Sequence, residues 1–241
     1  MENKLYIIIP AYNEEDNIES VINEWYPIVE KYNGNGKSKL LIIDDGSKDN
    51  TYSIMQKYAS KYPLFHPITK KNSGHGSTIL HGYQYAIDHD ADFVFQTDSD
   101  GQTLPNEFHQ FWEMRENYDM IIGYRNKRED GVSRVIVTKT LKLVLKICFG
   151  VNITDANTPF RLMNIKTLKD NIKYVPKDFN LSNVILSVIY FKRKQRIKYI
   201  PISFMPRQGG VNSINLKKIF KIGIQALKDF KEINKKLNII Q

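Results

Sequence analysis

Phe93-Val94-Phe95-Gln96-Thr97-Asp98-Ser99-Asp100-Gly101-Gln102 is an apolar run that climbs to two carboxylates one residue apart and then meets a glycine. A strand buried on both faces of a parallel sheet reads as a short continuous apolar run, and open α/β sheets bind ligands beyond the carboxyl ends of such strands. Asp98 and Asp100 therefore belong at a sheet rim. In extended chain, residues i and i+2 point the same way, so both carboxylates can face one divalent cation. Two solvated acids on a surface turn would give the same local pattern, so the neighbouring segments decide.

Upstream, Leu5 to Ile9 and Lys39 to Ile43 are further strand-like runs, and Leu64 to Ile68 is a weaker one. Between them the apolar period lengthens to that of a helix. It does so over Glu14 to Tyr32, with Ile18, Val21, Ile22, Trp25 and Val29 on one face, over Asn50 to Tyr62 behind a cap at Asp49 or Asn50, and over about Gly76 to His89. Met120 to Gly123 adds a fifth strand. This β-α-β-α order predicts an α/β fold with a mostly parallel, Rossmann-like sheet flanked by helices. Strand one ends in Pro10-Ala11-Tyr12-Asn13-Glu14-Glu15, and strand two in Asp44-Asp45-Gly46-Ser47-Lys48-Asp49-Asn50-Thr51. Turn and cap chemistry explains parts of these segments, but not paired acids at the top of one buried strand and again two strands later. All three strand ends are expected to converge on one ligand cleft.

At 241 residues and 28.1 kDa, with 41% hydrophobic and 25% charged residues, the chain has ordinary globular composition and is expected to be one domain. The single cysteine, Cys148, lies in an apolar helical run; it excludes an intrachain disulfide framework and fits a reducing compartment. Met1-Glu2-Asn3-Lys4 leads straight into the first strand-like run, so no signal peptide is expected, and no run approaches the length of a spanning helix. The expected location is cytoplasmic, with peripheral contact on the inner face of the membrane. A formal charge of +9 points to an anionic partner: phosphorylated small molecules, acidic lipid or nucleic acid. No nucleic-acid-binding motif accompanies the charge.

Pro10-Ala11-Tyr12-Asn13-Glu14, Asp44-Asp45-Gly46-Ser47-x-Asp49-x-Thr51, Asn72-x-Gly74-x-Gly76 and Asp98-x-Asp100 together resemble the family 2 glycosyltransferases of GT-A fold, across residues 5 to about 125 and more loosely to about 215. The resemblance implies a nucleotide-diphosphate sugar donor carrying UDP, GDP or dTDP. It places Asp44 and Asp45 at the nucleoside, with Pro10, Ala11, Tyr12 and Glu14 beneath it, and Lys71 and Gly74 lining the cleft. It also implies that Asp98 and Asp100 meet the ribose and a bound Mg²⁺ or Mn²⁺, and that both act in catalysis. Two acids suffice for Mg²⁺, which fills its remaining positions with phosphate and water oxygens. His75 and His81 have no spaced metal-ligand partners and read as structural.

In the second half, Arg125, Arg134, Arg161 and Arg207 stand beside glycine, proline, serine or aromatic residues, and guanidinium binds phosphate bidentately. Gly123-x-Arg125, Asp155 followed by Phe160-Arg161, and Arg207-x-x-Gly210 resemble the dolichol-phosphate and polyprenyl-phosphate sugar transferases, although Thr158-Pro159 and Asn180 depart from that branch. The likeness implies that these arginines hold an acceptor lipid phosphate and the donor diphosphate, with Arg161 also in the catalytic set. An acceptor hydroxyl requires a general base. This half has no acidic pair for that task, which favours a phosphate acceptor; Asp155, and after it Asp178, is the candidate base for a glycan hydroxyl.

Residues 1–125 are thus expected to bind donor, 126–213 to bind acceptor and 214–241 to form a basic amphipathic helix. That last segment has seven lysines against Asp229 and Glu232. Arg134 to Phe149 reads as another helix, with Lys139, Lys142 and Lys146 on the face opposite Leu141, Val144, Leu145 and Cys148. Both helices suit either a core surface or an anionic leaflet. Leu181 to Phe191 reads as a buried helix and Ile197 to Phe204 as a strand leading to Arg207. Two other functions fit parts of the pattern: a sugar-phosphate nucleotidyltransferase, which would carry a Gly-rich basic loop after strand one, and a non-catalytic basic binding protein.

Overall fold

The computed structural model describes residues 3–34, 36–125, 131–176, 179–205, 229–231 and 233–235, with side chains of the helix starting at 131 described from 140 onward. Arg207, Asp178 and most of the expected 214–241 helix lie outside these residues, as does the side chain of Arg134. The expected alternation is present: β1 (Leu5–Ala11), α1 (Ile18–Lys31), β2 (Lys39–Asp44), α2 (Thr51–Ala59), β3 (Phe65–Thr69), α3 (His75–Asp88) and β4 (Phe93–Gln96). After a 3₁₀ turn come α4 (Phe108–Glu113), β5 (Met120–Arg125), α5 (Gly131–Phe149), β6 (Arg161–Asn164), α6 (Ile165–Ile172), α7 (Ser182–Lys192) and β7 (Ile197–Ile202).

All seven residues of β1 are buried because helices cover both faces of the sheet. Leu5, Ile7, Ile9 and Ala11 pack on one side with Trp25 of α1 and with Phe108 and Phe111 of α4. Tyr6 and Ile8 pack on the other with α3, α6, α7 and the inward side of α5. The two-residue period of the strand divides one apolar run between two cores. Leu141, Val144, Leu145 and Cys148 of α5 face the core while Lys142 and Lys146 are exposed, as expected; the side chain of Lys139 lies outside the described residues.

The seven strands lie in the order β3-β2-β1-β4-β6-β5-β7. Neighbours pair in parallel except where β6 meets β4 and β5, both antiparallel. Six strands thus share one direction and β6 alone reverses. Its first residue, Arg161, stands opposite Gln96 at the end of β4 and opposite Ile122 near the end of β5. The reversal brings residues 155–160 to the rim where the other strands end.

Phe160 and Arg161 anchor this return, one on each face. Phe160 is fully buried and meets Phe95 edge-on, with ring centroids 4.7 Å apart. Arg161 is 0% exposed, and its five N–H groups are all engaged. Nε and both terminal nitrogens donate to the carbonyls of Thr158, Ala156 and Asn183 and to the Ser187 hydroxyl. Burial pulls its pKa down, against the opposing influence of Tyr83 and Asp155. The expectation that Arg161 binds phosphate or acts in catalysis is therefore corrected. With its fork closed on backbone oxygens inside the protein, it braces the 155–160 loop against α7.

Gly76 has a similarly mechanical task. A Cβ there would sit 2.2 Å from the Phe179 carbonyl oxygen and 2.8 Å from that of Asn180, so α3 and the segment leading into α7 can approach only at glycine. Gly76→Ala should lower the stability of the folded chain by about 1–3 kcal/mol through forced displacement of that backbone, read as a lower urea midpoint. Arg161→Met should cost about 3 kcal/mol, because buried carbonyls lose their donors. An unchanged urea midpoint for Arg161→Met would refute the bracing role.

Candidate active site

The β1–β2 ladder places Ala11 beside Asp44, and the Asp45 amide donates to the Ala11 carbonyl at 2.8 Å. The turn after β1 is then fastened to the turn after β2. Asn13, at φ 53°, donates its amide to Ser47 Oγ (2.9 Å) and accepts at its side chain from the Lys48 amide (2.9 Å). The Glu14 amide donates to Thr51 Oγ1 at 2.9 Å, and the Glu15 amide to Asp49 Oδ2 at 3.2 Å. Ser47, Asp49 and Thr51 thus owe their spacing to the β1 turn they hold. Glu14 is itself buried and accepts from Asn17 Nδ2 at 2.7 Å, whereas Tyr12 is exposed at the cleft edge. Gly46 adopts φ +70°, and a Cβ there would meet the Asn72 amide nitrogen at 2.9 Å, so the loop after β3 lies directly against it.

The acids of β2 organise that loop. Asp44 accepts from Thr69 Oγ1 (2.7 Å) and from the Ser47 amide (3.0 Å). Asp45 accepts from the Ser73 amide (2.9 Å), the Gly74 amide (2.8 Å) and Lys70 Nζ. Burial pushes the Asp45 carboxyl upward, but the donors from Lys70, Ser73, Thr78 and Gly74 outweigh it and hold the pKa below the ordinary carboxylate value. The lysine bound to Asp45 is Lys70, while the side chain of Lys71, the lysine singled out in the sequence, is exposed. The register explains the pairing: Asp44 pairs with Thr69, so the next residue along β2, Asp45, stands beside Lys70.

At the end of β4, Asp98 and Asp100 are both partly exposed, flanking buried Ser99. Asp98 Oδ1 lies 3.0 Å from Nε2 of His75, the first residue of α3. The His75 side chain is about half exposed, and the nearby carboxylates, Asp98 foremost, raise its pKa above the ordinary imidazole value. The expectation that His75 is merely structural is thereby corrected: it stands against Asp98 at the end of β4, directly after the Ser73 and Gly74 amides that Asp45 holds. Two carboxylates with no soft ligand form a donor set suited to a hard divalent cation. Among the described residues, no group of three or more His, Cys, Asp or Glu side chains is placed to enclose a metal, so phosphate or water oxygens would have to complete the coordination.

The loop carrying these acids is pinned on both sides. Thr97 and Thr103 hydroxyls meet at 2.7 Å, and the Gln102 amide donates to Asp100 Oδ1 at 3.2 Å. Gln102 and Met205 form a two-bond clasp: the Met205 amide donates to the Gln102 carbonyl at 2.8 Å, and Gln102 Nε2 to the Met205 carbonyl at 3.0 Å. Beside the clasp, the Arg125 guanidinium stacks on Phe204, 3.5 Å from the ring centroid. Asp155 completes the rim; it accepts from the Asn157 amide at 3.3 Å and lines a cavity of about 70 Å³ with Leu141, Lys142, Leu145, Ile153 and Ala156. The structure thus brings Asp45, Asp98, Asp100 and His75 together, with Arg125 and Asp155 farther along the same rim, and takes Arg161 out of the site.

Known proteins resemble the chain at several levels. The model of the family described as Glycosyl transferase family 2 matches residues 6–211. A UDP-N-acetylglucosamine–dolichyl-phosphate N-acetylglucosaminyltransferase of Methanococcus voltae is 27% identical over 84% of this chain and 86% of its own length. An undecaprenyl-phosphate mannosyltransferase of Micrococcus luteus is 24% identical over 88% of each chain. An undecaprenyl-phosphate 4-deoxy-4-formamido-L-arabinose transferase of Pectobacterium atrosepticum is 29% identical over 62% of this chain, which spans only 45% of that longer protein. In fold, glucosyl-3-phosphoglycerate synthase of Mycobacterium tuberculosis, solved with Mn²⁺ and UDP-glucose, superimposes with a TM-score of 0.68 over 97% of this chain and 79% of its own, at 16% identity. The sheet is that of a GT-A glycosyltransferase, as its strand ends implied, and with the family model spanning both halves of the chain, the protein belongs to glycosyltransferase family 2.

Proposed function

We propose that the chain is a metal-dependent, inverting glycosyltransferase that moves a sugar from a nucleotide-diphosphate donor to a polyprenyl phosphate. The observation that carries this is the arrangement of the rim: Asp98 meets His75, and Asp45 accepts from the Ser73 and Gly74 amides just before it, while Arg125 and the Asp155 loop flank the same strand ends. The names of the Methanococcus and Micrococcus relatives, each matched over most of its length, support the acceptor class. The family membership sets the nucleotidyltransferase reading aside.

In this reading residues 1–125 hold the donor and 126–213 the acceptor within one GT-A unit. The β1 turn and the Asp45 loop receive the nucleoside, Pro10 and Ala11 forming its floor. Asp98 and Asp100 would hold Mg²⁺ or Mn²⁺, which supplies positive charge to the departing nucleotide diphosphate. The acceptor phosphate oxygen attacks the anomeric carbon from the face opposite the diphosphate, so one carbon–oxygen bond forms as the other breaks and the configuration inverts. A phosphate already ionised near neutral pH needs no base. The chain's contribution is then to position both anions in line and to balance their charge, with Arg125 held flat by Phe204 for the acceptor phosphate. Arg134 and Arg207 join it as proposed phosphate ligands. A second reading rests on Asp155: lying at the rim beside a small cavity, it would be the general base if the acceptor were a glycan hydroxyl.

Asp100→Ala should fold, still bind nucleotide and lose about 100-fold or more in transfer rate, assayed by nucleotide release with Mn²⁺ or Mg²⁺. Full metal-dependent transfer by that variant would sink the assignment. Chelation with EDTA should abolish transfer, and either cation should restore it. Arg125→Ala should raise the acceptor KM about tenfold with little change in the donor KM, a split that loss of a donor contact would reverse. A thermal-shift series with UDP-, GDP- and dTDP-sugars should identify the base, since a ligand at about 100 times its Kd adds about 2.7 kcal/mol to stability.

A further inference from the structure

α5 turns two large apolar side chains outward. Leu143 is 59% exposed and Ile147 is 73% exposed, and no other large hydrophobic among the described residues is as exposed as either. They are four residues apart and so lie on one side of the helix, one turn from each other. Lys142 and Lys146, both exposed, repeat the same spacing alongside them. Leu145 and Phe149 fasten the inner side of the helix to the core, so the outward arc is fixed in place. An apolar pair beside a cationic pair is complementary to a bilayer surface whose headgroups are acidic: lysines meet the headgroups while Leu and Ile enter the acyl boundary. A protein partner of ordinary polarity has no need of that combination.

The position of the arc matters as much as its chemistry. The same turns of α5 wall the cavity beside Asp155, with Leu141, Lys142 and Leu145 on one side and Ile153 and Ala156 on the other, so Lys142 stands where the cavity meets the outward arc. This cavity stands at the rim that β6 brings back to the ends of β4 and β5. We infer that the outward arc of α5 from Lys142 to Ile147 docks on an anionic lipid leaflet, setting the catalytic rim against the membrane that carries the acceptor. The inference rests on the polyprenyl-phosphate reading for its purpose, but not for its physical basis. Among the described residues no helix is long and apolar enough to cross a membrane, so this contact lies on the surface.

The test uses the full chain and sedimentation with phosphatidylcholine vesicles, with and without phosphatidylglycerol. The wild type should bind the phosphatidylglycerol vesicles, and less so as salt rises. The double variant Leu143→Ser, Ile147→Ser should bind them at least about tenfold more weakly, with an unchanged melting temperature because both side chains are exposed. Lys142→Glu, Lys146→Glu should lose the preference for the acidic lipid. The inference is overturned if the wild type does not bind, if the serine variant binds as tightly as the wild type, or if the arc instead joins two copies, seen as a dimer mass that the serine variant halves. A parallel assay with a short-chain, water-soluble polyprenyl phosphate and no vesicles separates the two readings. The serine variant should match the wild type there; failure of both proteins to transfer, with vesicle binding behaving as stated, would remove the acceptor reading and leave the docking face standing.

Discussion

A buried guanidinium fixes the segment by which the second half of this protein returns to the sheet. Arg161 spends its five N–H groups on carbonyls of Ala156, Thr158 and Asn183 and on the Ser187 hydroxyl, at the residue where β6 begins its reversed run. A charge taken out of water is costly unless its hydrogen bonds are made, so the surrounding backbone is constrained to stay where those oxygens are. With that constraint, the 155–160 loop sits at the rim and α7 packs behind it. Without it, the 155–160 loop would have no fixed place beside the ends of the strands that share one direction.

The ends of β1 and β2 are held differently. Their carboxylates do two things each. Asp44 and Asp45 shape the loop after β3 through amide, hydroxyl and lysine donors, while facing the cleft that the loop encloses. Ser47, Asp49 and Thr51 fix the turn after β1 by hydrogen bonds to its backbone amides. Such preorganisation means that the cleft's dipoles are already oriented before a charged group arrives, the condition under which electrostatic stabilisation is most effective.

Much of this was legible in sequence because it follows from short-range rules. Continuous apolar runs gave β1, β2 and β4, and acids at their ends gave the cleft. Boundaries moved where polar residues had other tasks. The first helix begins at Ile18 and not Glu14, since Glu14 to Asn17 are used in the β1 turn, and α2 stops at Ala59, leaving Tyr62 to stack on Tyr26 at 4.1 Å. The four residues of β6 were too few to carry a period, and the short helices α4 and α6 went unanticipated for the same reason. Arg161 illustrates a deeper limit: a guanidinium beside Pro-Phe looks the same in sequence whether it meets phosphate or its own backbone. Lys70 and His75 became visible only through strand register and the start of α3, which bring together groups some 25 residues apart (Asp45 with Lys70) and 23 apart (His75 with Asp98).

The sheet order also has a consequence for how the protein comes into being. Among the described residues, β5 pairs with β6 and β7, both of which follow it in the chain. As the polypeptide leaves the ribosome, β1 to β4 can assemble as they appear, but β5 has no neighbour until β6 emerges about 40 residues later, and its other edge stays open until β7. Strand edges with unpaired amides invite association with other chains. The nascent protein therefore passes through an interval in which an apolar strand is complete and unsheltered. The entry of β6 between β4 and β5 ends the exposure of one of those edges.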